Sequence, residues 1–338
     1  VSMEPGRGVP GWVLALGALS TALLALPAAG QDAPPPRVVP WQEPSPFARP
    51  FLQLPFDDPV PLRAGRTEIG LRTLYSNSLM RGRSPALSVD VSIEEAAPAL
   101  FVRRGFEPGF ELQLAVPGVV DYAGFLWRPI KAVESVFASV NVLRTGPPPG
   151  EARFRVVRSD GRGVDWTGTE GGPGDVWAAV KAPIAGGRGG TALSWRAAVK
   201  IPTADVPFGS GGVELGAGLL GAWDLGDTRL RVTGDLMVPL RGTYTSARIS
   251  TRPHAALQLG AAHRFTSWLS AQLQGSVHTS ALRGTGLDQI DGSTWYVLAG
   301  VSAAPSRRTS LTFALVENVF QPSRGADITA VLEMAWRR

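Results

Sequence analysis

From residue 66 to the end of the chain, apolar and polar side chains alternate in short runs, and the last run states the pattern most clearly. Ile328, Ala330, Leu332, Met334 and Trp336 are all apolar, while Asp327, Thr329, Val331, Glu333 and Ala335 are mixed. Successive side chains on a strand point to opposite faces, so one face here is wholly apolar and the other partly charged. A soluble sandwich turns its apolar face inward. A membrane barrel turns it outward to lipid, and a strand of about ten residues ending on an aromatic suits its last stave.

The same two-residue period predicts strands over Glu68–Tyr75, Leu87–Glu94 and Phe110–Val116, then over Asp175–Ala182, Leu193–Ile201, Val213–Trp223, Arg229–Val238 and Leu257–Phe265. Leu269–His278, Ser293–Ser302, Thr309–Val316 and Asp327–Trp336 complete the set. Connections after residue 184 alternate between short and long: Gly226-Asp227 and Ala304–Arg308 are short, Pro239–Arg252 and Ser280–Gly292 long. Short turns on one side and long loops on the other are the habit of outer-membrane barrels. The expected fold is therefore all-β, a transmembrane antiparallel β-barrel of twelve strands over 66–338, with fourteen as the upper count. Residues 117–174 form a long loop in this scheme, with an extra strand or hairpin at Glu151–Val157 and a short helix over Phe125–Phe137 that Pro129 weakens.

Ahead of the barrel stand two segments of other composition. Arg7, the apolar run Trp12–Leu26 and the small residues Pro27-Ala28-Ala29-Gly30 have the three-part form of a secretory signal peptide over 1–30. Residues 31–65 are rich in proline, cannot join a ladder, and read as a periplasmic leader or a segment tucked into the lumen. No later apolar run approaches the ~20 residues of a spanning helix. The chain has no cysteine, so neither disulfides nor thiolate metal sites contribute.

The net charge of +5 comes from basic residues spread along the strands, which argues for lipid headgroups or anionic solutes and against nucleic acid. With apolar faces on lipid, the lumen receives Glu68, Arg72, Asp90, Glu94, Glu111, Lys181, Arg196, Lys200, Glu214, Arg231, Asp235, Arg264 and Glu333. Such groups either pair into a network that fills a narrow barrel or line a polar conduit in which Arg196, Lys200, Arg231 and Arg264 favour anions. Trp223, Phe265, Trp268 and Trp336 fall at periplasmic strand ends and Trp295 at an outer end, as interfacial belts require.

Four short motifs resemble the Gram-negative envelope proteins grouped as domain of unknown function 3187. They are Gly118-Val119-Val120-Asp121 before the Phe125–Phe137 stretch, Gly172-Pro173-Gly174-Asp175, Val199-Lys200-Ile201-Pro202-Thr203, and Val316-Glu317-Asn318 followed by Ala326-Asp327-Ile328. The resemblance implies an outer-membrane barrel and no particular activity. It singles out Asp121, Gly174, Asp175, Lys200, Pro202, Glu317 and Asp327 as family-like positions. The chain departs from the group at Arg144–Gly174, which is Pro/Gly-rich and basic where the group carries a longer, more acidic insertion.

Catalytic chemistry has one lead. His278 and Ser280 share a strand face, as a base and a nucleophile must, in a setting similar to outer-membrane lipid hydrolases; Ala281 stands where those have Asn. His254 and His263 have opposite parity and make no metal site, and the runs Gly186–Gly190 and Gly209–Gly212 lack the context of a phosphate loop. No cofactor is expected. The sequence thus predicts an exported outer-membrane barrel, inserted by the barrel-assembly machinery through its C-terminal strand and surrounded by outer-membrane lipid. Its expected role is structural or that of a narrow channel for small, anionic solutes. A lipid hydrolase and a soluble periplasmic all-β binding protein are the alternatives.

Overall fold

A computed structural model describes residues 36–125, 151–187, 190–318 and 324–338. The expected signal peptide and residues 126–137 of the helix-like stretch lie outside the described residues. Strands β1 (Thr67–Arg83), β2 (Leu87–Phe106) and β3 (Phe110–Tyr122) open the barrel. The strands β4 (Arg153–Arg158), β5 (Gly163–Thr167) and β6 (Glu170–Pro173) follow. Next come β7 (Trp177–Gly186), β8 (Ala192–Lys200), β9 (Glu214–Leu225) and β10 (Thr228–Pro239), then the short β11 (Thr243–Tyr244) and β12 (Ile249–Thr251). The chain ends with β13 (His254–Arg264), β14 (Leu269–His278), β15 (Leu282–Arg283), β16 (Thr294–Ala303), β17 (Thr309–Glu317) and β18 (Ile328–Arg337).

Twelve of these strands, β1–β3, β7–β10, β13, β14 and β16–β18, pair antiparallel in a ring that β1 and β18 close, from Glu68 opposite Arg337 to Ser76 opposite Thr329. Each strand of the ring has a hydrogen-bonded neighbour on both sides, the condition for spanning a bilayer with strands. The alternation of the last strand has its expected sense. Leu332 is 53% exposed on the outside, while Val331 is 0% exposed within. A soluble β protein would bury those outward stripes, so the soluble alternative is not the fold formed.

At the base, where the chain ends, the turns are short; the opposite rim carries the long connections. β1 and β2 are 17 and 20 residues long, against the ~9–11 a bilayer requires, so their far halves rise above the wall. There β4 pairs with β2 from Leu87 opposite Arg158 to Ser92 opposite Arg153, and β5 pairs with β4. Residues 117–174 are thus not one loop, because β3 runs on to Tyr122 and β4–β6 lie between Arg153 and Pro173.

In this raised part the polarity reverses, and one expectation is corrected. Leu87, Val89, Val91 and Ile93 point inward and pack with Phe154, Val156, Tyr244, Ile249 and Leu282 in an apolar core that caps the lumen. Asp90, placed in the lumen by its sequence pattern, lies on the outer face and pairs with Arg81 and Arg153. Glu94 has the same parity and accepts a hydrogen bond from the Tyr75 hydroxyl at 2.5 Å. Above the membrane the outer face meets water and the inner face meets protein, so the rule that holds beside lipid inverts.

Between β2 and β3 the ladder is interrupted: Ala96 pairs with Val120 and Ala99 with Pro117, and the ladder skips Ala97 and Pro98. Pro98 and Pro117 have no N–H to donate there.

Candidate functional site

The lumen is filled by the chain's own proline-rich segment. Residues 36–62 enter at the base, climb to a turn at 45–49 under the cap, and return to the base before β1. Proline denies this segment ladder hydrogen bonds, so its backbone is satisfied by side chains of the wall. Arg231, Lys200, Arg196 and Ser194 donate to the carbonyls of Pro36, Pro50, Pro55 and Pro59 at 2.5, 3.0, 2.7 and 2.5 Å. The Val39 N–H donates to Gln272 at 2.9 Å and the Leu52 N–H to Glu214 at 2.6 Å. His254 meets the Leu52 carbonyl at 3.0 Å. The two limbs are tied together by Gln42 and Gln53.

Apolar anchors fix the same segment. Trp41 stacks edge-on against Tyr296, and its indole N–H donates to Ser276 at 3.2 Å. Phe47 and Phe51 enter the cap core, while Leu52 and Leu54 pack against Phe101, Trp177 and Met237.

Four of the five charged residues on the segment meet opposite charges on the wall, and Glu43 meets hydroxyls. Arg37 lies 3.3 Å from Glu68 and 3.7 Å from Glu333 near the base. Arg49 pairs with Glu95 and Asp121 below the cap. Asp57 accepts from Arg103 at 2.8 Å and from Lys181 at 2.6 Å. Asp58 accepts from Arg229 at 3.0 Å and Arg231 at 2.8 Å. Glu43 accepts from Thr294 at 2.9 Å and Tyr296 at 3.3 Å, at the loop end of β16. Burial lifts its carboxyl to about 7, with those two hydrogen bonds pulling the other way.

Apart from Asp90 and Glu94, the lumen residues read from the sequence are buried on the inner face. Arg72 pairs with Glu333 and Arg196 with Asp235. Glu111 takes Arg103 and Lys181, and Lys200 takes Asp175 and Glu214. Arg264 is held by Asp227 of the β9–β10 turn, at the base and away from the filled centre. The wall cations Arg196, Lys200 and Arg264 therefore each have a wall carboxylate of their own.

Of the family-like positions, Asp121 pairs with Arg49 and Lys200 holds the Pro50 carbonyl of the segment. Asp175 accepts from Lys200 and from the Ala204 and Ser210 N–H groups at 3.0 Å each, which closes the β8–β9 loop behind the exposed Pro202. The Gly174 N–H donates to the Pro117 carbonyl at 2.9 Å, and Asp327 exchanges backbone bonds with Asn77 and Asn318. Glu317 ends β17 opposite Ile328. Trp223, Trp268 and Trp336 are exposed on the outside at the base and Trp295 near the other rim, whereas Phe265 is half-buried against His263.

His278 points into the lumen, edge-on to Tyr296, while the Ser280 hydroxyl accepts the Leu282 N–H at 3.0 Å. No hydrogen bond joins the two among the described residues. Other charged residues of the site are not marked by the two-residue alternation. Arg37, Arg49, Asp57 and Asp58 of the segment pair with the wall, and Arg103 on β2 and Arg229 on β10 are partners of Asp57 and Asp58. Seven charged residues scattered through the proline-rich leader, residues 31–65, were the signal available.

A cavity of about 80 Å³ remains between the segment and the wall of β1–β3 and β7, lined by Arg49, Leu74, Ala97, Phe101, Trp177 and Phe208 among others. That is well below the ~150 Å³ that holds a benzene-sized guest. Among the described residues, no group of three or more His, Asp or Glu side chains could hold a metal.

No family model matches the sequence, and no curated protein does. Solved structures do. The COG4313 outer membrane channel from Pseudomonas putida F1 aligns over 85% of this chain and 100% of its own, at 12% identity and a TM-score of 0.57. The NanC porin aligns over 79% and 98% at 9% identity and a TM-score of 0.47. A FadL homologue of Pseudomonas aeruginosa aligns over 90% and 98% at 9% identity, with a TM-score of 0.39. The first of these shares the fold, a closed antiparallel β-barrel.

Proposed function

We propose that this protein is an outer-membrane channel for small solutes whose resting state is closed by its own segment 36–62. One observation carries this reading. The segment is bound to the wall by side-chain hydrogen bonds and ion pairs, without a ladder, so it can leave while the twelve-strand ring stays closed. Export by the expected signal peptide, insertion through β18 by the barrel-assembly machinery, and membership of the domain of unknown function 3187 group belong to the same proposal. The preference for anions read from the wall cations is part of it too.

A purely structural role is the second reading, favoured by the burial of Trp41 and Phe56, each at most 2% exposed. Conductance in planar bilayers separates the two. A variant lacking residues 36–62, shown to be folded by its heat-dependent gel mobility, is expected to conduct steadily where the full chain conducts rarely. A folded deletion variant that stays silent would support the structural role and overturn the channel.

A further inference from the structure

Asp57 and Asp58 are adjacent in sequence yet reach opposite sectors of the wall. Asp57 meets Arg103 on β2 and Lys181 on β7, and Asp58 meets Arg229 and Arg231 on β10. The wall charges around them do not balance without them. Five cations, Arg103, Lys181, Arg196, Arg229 and Arg231, face three wall carboxylates, Glu111, Asp235 and Asp224. Glu68 also lies 3.7 Å from Arg103 but is held by Arg37 and Arg337, beside the closed pair Arg72–Glu333. The wall therefore has two positive charges in excess, and the segment delivers two negative charges to that place.

The fit is close as well as neutral. The void left beside Asp57, Glu111, Lys181 and Arg196 is about 10 Å³, roughly one water. Buried cations that lose a partner are costly, so a vacated site would have to be hydrated or filled by another anion.

We propose that Arg103, Lys181, Arg229 and Arg231 form a binding site for a two-headed organic dianion, which Asp57 and Asp58 occupy while the lumen is closed. The inference rests on the channel reading for its role, but the site can be tested without conductance. Neighbouring Cα atoms are about 3.8 Å apart, and side chains reaching opposite ways put the two carboxylates roughly 6–9 Å apart. A linear dicarboxylate of about six or seven carbons spans that distance, whereas a single phosphate or sulfate does not. Arginine supplies three of the four positions, in keeping with its forked fit to carboxylates.

The experiment is calorimetric titration of detergent-solubilised protein with adipate, with hexanoate and hexane-1,6-diol as controls. The full chain, with its site filled, is expected to show no binding. The folded variant lacking residues 36–62 is expected to bind adipate at least tenfold more tightly than hexanoate and to ignore the diol. Adding K181M and R231M should abolish that preference. The full-length D57N/D58N variant, which keeps every other contact of the segment, should show the same order of ligands more weakly and covers the case in which the deletion does not fold. Equal affinity for adipate and hexanoate, or none for either in a folded variant, overturns the site. Adipate binding without conductance in bilayers would keep the site and remove the channel.

Discussion

Arg196 on β8 and Asp235 on β10 join through two hydrogen bonds of 2.8 and 2.6 Å across the strand that separates them. Gly218 of β9 stands opposite both residues. A Cβ there would collide with the Asp235 carboxylate, so the pair exists because position 218 has no side chain. The remaining Arg196 donor holds the Pro55 carbonyl at 2.7 Å, which links the wall pair to the segment in the lumen.

Gly218→Ala is therefore expected to break the pair and cost about 3–5 kcal/mol, the usual loss when one buried charge is stranded. The temperature at which unboiled protein changes gel mobility should fall clearly. Gly234→Ala, where a Cβ meets nothing within 4 Å, is the control and should leave that temperature nearly unchanged. The double variant R196M/D235L should lose less than R196M alone, since it leaves no unpaired charge.

The outward apolar face gives a second expectation. Leu259 is 54% exposed in mid-strand on β13. Leu259→Arg should cost about 2–4 kcal/mol in lipid vesicles, as cations at the bilayer midplane do. A cost near zero in urea unfolding would show that this face does not meet lipid.

Glu43 belongs to the lumen segment and sits at the loop-end mouth, outside the spanning strands. Its carboxyl is raised from 4.5 to about 7 while docked. The docked state thus holds the proton more tightly than the free state. Docking is favoured in full below about 4.5 and loses that contribution as the pH rises through about 7. Open probability should be higher at pH 8 than at pH 5, and Glu43→Gln should flatten that dependence. An unchanged pH profile in the Gln variant would assign the effect to another group.

The ring was legible in the sequence because lipid on one side and charge on the other impose a period of two on every membrane stave. The last strand, with Leu332 out and Glu333 in, shows both constraints in adjacent residues. The pattern misled at Leu87–Ile93, where the alternation is as regular but the polar face meets water and the apolar face a protein core. Periodicity reports that two faces differ, and not which solvent each one meets. The filled lumen was only half legible. Proline at 36, 50, 55 and 59 excluded a strand, but the partners of those carbonyls come from strands 130 or more residues away. Arg103 went unread because the pattern ended its strand at Glu94, while β2 continues to Phe106.

Opening requires the segment to move out of the lumen. Gly216 faces Leu52, and a Cβ at Gly216 would lie 2.9 Å from the tip of the Leu52 side chain. The natural chain has no cysteine, so a disulfide in the L52C/G216C variant can only tie the segment to β9. Single-channel recording of that pair on the D57N/D58N background, before and after reduction, is the direct measurement. Silence is expected while the disulfide is intact and conductance once it is reduced. Equal conductance in both states, with the disulfide confirmed by gel mobility, would show that current does not depend on the segment leaving.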